Sequence, residues 1–551
     1  MRTLKHTLLG FILVLIVLSG TLIWTNGAGS TDIYSSISKN LTLLGQIYKE
    51  VSTRYVDSVD PDKFLKAGID GMLNTLDPYT EYIYENEEQH RLQVITSGKY
   101  GGVGILLNYR NNAVTVGEPP FVGTPAARAG IREGDIIIQV NDTPTDKIGY
   151  DESARRIRGP AGTEVTLSIR RQGVPEPIVF KLIREQIKVD DVRYAGIIGD
   201  DMGYILLTRF SNNAALEVRA AIDSLKKQHI NGLILDLRSN PGGLLDAAVK
   251  ISSLFHPKNM DIVSTRGRAK GSINLFKSST EPIYGDGPLV VLVNRFSASA
   301  SEIVAGAVQD HDRGIILGDT TFGKGLVQSI IPLSPTSALK ITTAKYYTPS
   351  GRCIQSHSYS AWSDTASLDQ AVLYHTDLGR QVHGGGGIAP DVIIDHPPVS
   401  DIVIDLLRKS LFFNFAVDYA NTHAVPDSNL LIDDNILQSF QQYLKEKSYS
   451  YQHPVEGDLT ALKKEALEKG YSASLLQDID RLQKSLEKSK LDMLSGSRQD
   501  IRRFLRSEIA SKFYGTKRGV EIGLEDDPAV QKALLLLADE DMYSNVLSHN
   551  K

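Results

Sequence analysis

Between residues 200 and 350 short apolar runs alternate with amphipathic segments, and nothing else in the chain constrains its fold as strongly. "GYILLTRF", "GLILDLRSN", "PLVVLVN" and "GIILG" read as strands, and "LVQSIIPL" as another. "AALEVRAAIDSLKKQHI", "LLDAAVKISSLF" and "SEIVAGAVQD" read as helices between them. "PLVVLV" is apolar at every position, as a strand covered on both faces must be; a half-exposed strand would alternate. Strand and helix taking turns predict an α/β core.

The flanks have other textures. At 551 residues the chain has room for roughly three or four domains. Residues 1–30 hold Arg2, Lys5 and His6 ahead of the uncharged run "TLLGFILVLIVLSGTLIW", which predicts a membrane anchor or a cleaved signal segment. Either reading places the remainder outside the cytoplasm, with the positive end of an anchor inside. Residues 31–96 predict a helical segment, apolar at Ile37, Leu41, Leu44, Tyr48, Val51 and Tyr55. Phe64, Ile69 and Leu73 are candidates to pack against that face, and a dimer contact is the sharper alternative. Residues 97–184 read as short glycine-punctuated strands with one helix, "YDESARRI", a compact α+β unit. The core is assigned to 185–397, and 398–551 reads as charged helices with mixed-sign, solvated faces and no chemical motif.

Composition removes several classes. A net charge of -5 is not that of a nucleic-acid-binding chain. Cys353 is the one cysteine, so neither an intrachain disulfide nor a thiolate cluster can form. "PSGRCIQ" supplies no neighbouring base that would make Cys353 a nucleophile. The run from His383 to Gly387 reads as a glycine turn rather than a metal site, and no metal or other cofactor is expected.

The chemistry turns on "GDTTFGKG", residues 318–325. A glycine, four residues and Gly323-Lys324 fit most of a phosphate-binding loop. Such a loop continues with Ser or Thr for magnesium and then a helix. Here Gly325 takes the hydroxyl position and a strand follows, so both requirements fail. On this stretch alone Lys324 reads most simply as a surface lysine after a turn; the sharper reading of a lysine in a glycine-lined, apolar stretch is proton transfer. An ordinary lysine ionises near pH 10.4, and burial disfavours its ammonium. Lowering that value by about 3 units requires roughly 4 kcal/mol, after which the amine can deprotonate a serine.

"NRFSASASEIVAGA" offers Ser297, Ser299 and Ser301 at a strand-to-helix turn, where free helix N–H groups can also hold an oxyanion. Plain helix capping is the competing reading of these serines. "DLRSNPGGLL" adds a turn whose glycines let backbone N–H groups approach a carbonyl.

The order "DLRSNPGG", "SASASEIVAGAVQD", "GDTTFGKGLVQ" resembles the carboxyl-terminal processing (tail-specific) proteases of peptidase family S41, over roughly residues 35 to 395. The resemblance implies a crotonase-like core and a Ser–Lys dyad, with Ser299 as nucleophile, Lys324 as general base and Gln328 orienting the lysine. It places the oxyanion hole at the backbone of Gly242 or Gly243 together with Ala300. The unit before the core resembles a PDZ domain, whose loop "GGVGI" would receive a chain-terminal carboxylate on N–H groups of Gly102, Val103, Gly104 and Ile105. In some members an arginine after the PDZ helix couples peptide binding to assembly of the active site. Arg158 matches it, with Arg155 and Arg156 close by, and a plain surface ion pair is the alternative. Expected partners are proteins with free apolar carboxyl termini, with a homodimer or an activating adaptor possible, in the cell envelope. Two rivals stand beside this reading: a Ser299–His311 triad with Asp310 or Asp312, and a PDZ-based membrane adaptor whose core is inactive or partner-activated.

Overall fold

The computed structural model describes residues 28–83, 99–110, 112–171, 174–269, 271–334, 337–357, 359, 372–394, 399–425, 430–451 and 453–548. The apolar run of residues 7–24 lies outside them. Among the described residues no helix is long and apolar enough to cross a membrane. The chain divides into two compact units, residues 1–82 and 83–551.

In the first unit, helix Ala28–Arg54 turns back into helix Pro61–Leu73. Asp60 caps the second helix, accepting from the N–H groups of Asp62 and Lys63, and Pro61 sits at the first helical position where its missing N–H costs nothing. The expected packing is present at the near end, where Tyr48 stacks on Phe64 at 5.7 Å and its hydroxyl reaches the Pro61 carbonyl at 2.9 Å. Ile37, Leu41 and Leu44 stay exposed, because the second helix is half the length of the first.

The second unit is built on a six-stranded sheet. Its order is Val192–Ile198, Met202–Leu207, Gly232–Asp236, Leu289–Val293, Ile315–Gly318 and Val392–Ile393; the first pair is antiparallel and the others are parallel. The central strands Gly232–Asp236 and Leu289–Val293 are buried along their whole length, as their unbroken apolar runs demand. Helices Ala214–Lys226, Leu245–Ser252 and Ala300–Asp310 cover one face. The other is covered by helix Pro528–Ala538, whose Val530, Ala533 and Leu536 pack on Ile234, Val290 and Leu292. A second, antiparallel sheet pairs Leu326–Ser334 with Ser337–Tyr347 and that strand with Asp261–Gly267.

The α+β unit contains a sheet ordered Leu107–Arg110, Ala113–Val116, Ile136–Val140, Glu164–Arg170, Ile178–Ile183, with Leu107–Arg110 at its edge. A two-stranded ribbon of Lys99–Gly102 with Glu185–Lys188 joins it to the core.

The carboxyl-terminal helices are more than a solvated coat. Phe412, Phe415, Phe440, Leu505 and Ile509 form a core of their own. From it Lys512 reaches Glu133 of the α+β unit at 2.6 Å, with both side chains nearly buried. The ring of Phe413 lies between the Arg110 guanidinium at 3.8 Å and the Lys512 ammonium at 4.3 Å. At the far end Asp527 pairs with Arg238 at 2.8 Å. The mixed-sign pattern hid this, because Lys512 and Asp527, which look solvated in sequence, are spent on other domains.

Burial pushes the Glu133 carboxyl above its usual range, with Lys512 opposing the shift. Replacing Lys512 by alanine strands a buried carboxylate and is expected to cost about 3 kcal/mol at pH 8 in denaturant unfolding. The cost shrinks as pH falls, because burial favours the neutral form of the unpaired Glu133. A loss below about 1 kcal/mol at pH 8 contradicts the buried pairing.

Candidate active site

The three motif loops meet because three neighbouring parallel strands end side by side. "SNPGG" follows Gly232–Asp236, "SASAS" follows Leu289–Val293, and "DTTFGKG" follows Ile315–Gly318. The carboxyl edge of a parallel sheet is where α/β folds place their chemistry.

Asn240 welds the first two loops. Its amide donates to the Leu207 carbonyl at 2.8 Å, while its own carbonyl accepts from Ala298 N–H at 3.0 Å and from the Ser301 hydroxyl at 2.9 Å. Gly242 then passes so close to the serine turn that a Cβ on it would lie 2.5 Å from the Ala298 oxygen and 3.0 Å from Ser299 Cβ. Its φ is 93°, so both space and backbone demand glycine. Its N–H donates to Asn240 Oδ1 at 2.9 Å. That bond occupies the Gly242 N–H, which weighs against Gly242 in the choice between Gly242 and Gly243 that the resemblance leaves open.

The serines are not equivalent. Ser297 is fully buried, and its hydroxyl bonds the Leu237 carbonyl at 2.8 Å. Ser301 is fully buried on Asn240. Ser299 is half-buried and has φ 55° and ψ -111°, a conformation costing on the order of 1–3 kcal/mol for a residue with a side chain. It stands immediately before helix Ala300–Asp310, every residue of which is buried. Tyr346, itself buried, holds the Ser299 carbonyl through its hydroxyl at 3.2 Å.

Glu302, one turn into that helix, is the residue the motif reading missed. Its carboxylate is fully buried and accepts four hydrogen bonds. Oε2 takes the backbone N–H groups of Ser299 at 2.7 Å and Lys324 at 3.0 Å. Oε1 takes Gly323 N–H at 2.7 Å and the Thr321 hydroxyl at 2.6 Å. One carboxylate therefore ties the strained serine to the lysine loop. A sequence signal existed: an acid three residues after a helix-starting serine is the pattern of a capping box, which returns the carboxylate to the first residue's N–H. The second loop it captures is a tertiary event that spacing does not encode.

Lys324 is half-buried and is followed by strand Leu326–Ser334, not by a helix, as the rejection of a phosphate loop required. Gln328 lies on that strand, and its amide donates to the Thr342 hydroxyl at 3.2 Å. His311 stands at the opposite end of the helix from Ser299, about 18 Å along its axis at 1.5 Å per residue. Its ring nitrogens are held by Asp377 at 2.8 Å and the Asp261 carbonyl at 2.7 Å. Asp310 pairs with Arg352 at 2.7 Å and Asp312 with Arg380 at 2.6 Å. The helix separates this cluster from Ser299, which rules out a Ser299–His311 triad. Cys353 is buried, and among the described residues no group of His, Cys, Asp and Glu could hold a metal ion.

At the α+β unit, Val103 and Ile105 are buried, so they face a ligand with backbone alone. The carbonyls of Val103 and Gly104 are engaged inward by Ala126 and Phe121 N–H groups, at 3.0 and 2.9 Å, and Gly104 has φ 83°. The amide side of residues 102–105 is thus the side suited to a carboxylate. The three arginines also part company. Arg155 and Arg156 both bond Glu152, whereas Arg158 is exposed with its guanidinium 5.8 Å from the ring of Tyr100, on the ribbon that joins this unit to the core. Arg184, buried beneath, fixes that corner through the carbonyls of Ile157 at 3.0 Å and Glu164 at 2.8 Å.

Burial raises the Glu302 pKa to about 7 from 4.5, against four hydrogen bonds that favour the ionised form. A carboxyl raised in this way binds its proton more tightly folded than unfolded. Its contribution to stability therefore declines as pH rises from 4.5 to 7, by roughly 3 kcal/mol for 2.5 units. Unfolding measured at pH 5 and pH 8 is expected to show this dependence in the parent chain and to lack it in Glu302→Gln. Equal slopes for the two chains contradict the assignment.

Comparison with known proteins agrees with this architecture. Residues 201–360 match the family model for peptidase family S41, 122–171 that for a PDZ domain, and 402–537 that for a probable PDZ-protease C-terminal helical domain. Residues 25–87 match the N-terminal domain of the activating protease CtpB. The chain is 38% identical over 386 residues to the carboxy-terminal-processing protease of Bartonella bacilliformis, a match covering 69% of this chain and 81% of that protein. It is 37% identical over 424 residues to the carboxyl-terminal-processing protease of Synechocystis, covering 72% and 90%. A photosystem II D1 C-terminal processing protease of solved structure is 27% identical, the match covering 67% of this chain and 96% of that one at a TM-score of 0.34. With an S41 core, a PDZ domain and helical domains at both ends, the chain belongs to the carboxyl-terminal processing peptidases of family S41, which are serine-type enzymes.

Proposed function

We propose that the chain is an exported endopeptidase that captures the free carboxyl tail of a protein on its PDZ domain and cleaves peptide bonds with a Ser299–Lys324 dyad. The observation that carries this reading is the shared Glu302 carboxylate, which holds the backbone of Ser299 and of Lys324 on one oxygen.

In the proposed cycle the Ser299 Oγ attacks the scissile carbonyl carbon while its proton passes to the neutral Lys324 amine. The N–H groups of Ala300 and Gly243 receive the oxyanion, and the glycine turn gives them room. Collapse breaks the C–N bond, Lys324 returns the proton to the departing nitrogen, and an acyl ester remains on Ser299. Water, deprotonated by Lys324, then attacks the ester and restores the hydroxyl. Gln328 orients the lysine from the adjacent strand. Arg158, at the end of the helix and near Tyr100 of the joining ribbon, is suited to report occupancy of the PDZ domain to the core.

The apolar segment before residue 28 supports placement in the cell envelope, as an anchor or a removed signal. The exposed Ile37, Leu41 and Leu44 stripe on helix Ala28–Arg54 supports a homodimer or an adaptor as the partner of that helix.

Incubating the purified chain with an unfolded protein that ends in an apolar carboxylate tests the reading. Cleavage is expected to fall at least about 10³-fold in Ser299→Ala and in Lys324→Ala. Amidating the substrate's terminus is expected to raise KM by roughly tenfold or more, because the PDZ loop loses its charged acceptor. Activity retained in Lys324→Ala, or indifference to the amide, refutes the corresponding half of the proposal.

A further inference from the structure

The edge strand Leu107–Arg110 lies beside the helix that ends at Ile157, and a captured tail would add to that edge. The strand register decides which atoms it offers. Leu107 pairs with Val116, Asn108 with Thr115 and Tyr109 with Val114, and Gly117 N–H bonds the Leu106 carbonyl at 2.8 Å. Residues 106, 108 and 110 therefore point their amide groups at the neighbouring strand, and 107 and 109 point theirs outward. The Leu107 carbonyl is already occupied. The Tyr150 hydroxyl donates to it at 3.0 Å, and the Asn108 amide, oriented to satisfy both its ends, donates a second bond at 3.0 Å. A carbonyl has two lone pairs, and both are filled.

Of the two donors, Tyr150 is the one built to leave. Asn108 belongs to the strand itself, and the same orientation lets its oxygen accept from Arg110 Nη2 at 2.9 Å. Tyr150 follows Gly149, which has the non-helical dihedrals φ 73° and ψ -175° within the helical stretch and open space around its Cβ position. The Tyr150 ring otherwise rests edge-on against Tyr109 at 6.3 Å, and the Tyr109 side chain is itself exposed.

We propose that Tyr150 determines the specificity of the PDZ groove: its hydroxyl is a stand-in donor on the Leu107 carbonyl that an incoming tail must replace with a backbone N–H. The inference rests on the proposed capture of tails by the PDZ domain. A tail whose carboxylate meets residues 102–105 runs antiparallel to the edge strand. Its last residue then lies opposite Ile105 and its third-from-last opposite Leu107. The groove accordingly admits chains with an N–H at the third residue from the end and discriminates against proline there, which has no donor to exchange.

The test uses the full chain carrying Ser299→Ala, so that probes bind without being cut. The probes are a decapeptide ending Ser-Val-Ala-Val with a free carboxylate, the same peptide amidated, and a third N-methylated on the first of those two valines. Adding Tyr150→Phe is expected to tighten binding of the unmodified peptide roughly three- to tenfold, since the competing hydroxyl is gone. The N-methyl peptide is expected to bind more weakly and to gain nothing from Tyr150→Phe. Equal or weaker binding of the unmodified peptide by Tyr150→Phe overturns the proposal, as does an equal gain for the N-methyl peptide. If the Ser299→Ala parent does not distinguish the free carboxylate from the amide, the underlying reading of tail capture fails instead.

Discussion

A single buried carboxylate holds the serine turn and the lysine loop together. Glu302 lies inside a helix with no exposed residue and takes hydrogen bonds from two loops that follow different strands. Leaving such a group without donors would cost several kcal/mol, so the loops must close on it for the core to be stable. Closure fixes Ser299 in a conformation its side chain would not otherwise adopt and brings Gly323-Lys324 alongside. Strain at Ser299, the proposed nucleophile, is thus sustained by the satisfaction of a buried charge one helical turn away. The same burial raises the affinity of Glu302 for protons, so the clamp is held at some expense in stability.

The sheet supplies the frame for this clamp, and the domains around it are fastened to the frame. Three parallel strands deliver three loops to one edge, and Asn240 and Glu302 each join two of them. The carboxyl-terminal helices span the same unit. Asp527 bonds Arg238, which stands two residues before Asn240, while Lys512 and Phe413 hold the PDZ domain through Glu133 and Arg110. The helical domain thereby links the position of the PDZ domain to the strand that carries the glycine turn. Its charged surface in sequence is in part a set of interdomain contacts.

Much of this is legible in the sequence. The unbroken apolar strands and intervening helices gave the α/β core, because burial on both faces leaves no polar alternation to obscure. The failure of the phosphate loop followed from Gly325 and the strand after it. What was not legible depended on contacts across the fold. Ser297, Ser299 and Ser301 look alike as residues; the family resemblance points to the middle one, and the structure adds that the hydroxyls of the outer two are spent on backbone carbonyls. Glu302 goes unread, because its hold on the lysine loop is a contact between segments that spacing does not encode. The spent N–H of Gly242 depends on the Asn240 side chain, and the occupied Leu107 carbonyl on a tyrosine far along the chain. Helix Pro528–Ala538 falls in the stretch read as charged, solvated helices, yet it covers one face of the six-stranded sheet.

The most direct test of the account is the rate at which an organophosphonate probe labels the chain, with the adduct located by peptide mapping. Attack by an activated serine predicts a single adduct on Ser299 in the parent, lost in Lys324→Ala. In Glu302→Gln the account predicts labelling slowed by about 10²-fold, since misplacing a reacting group by about 1 Å costs that much. An adduct on another residue, or parental labelling rates in Glu302→Gln, would contradict the claim that this carboxylate assembles the site.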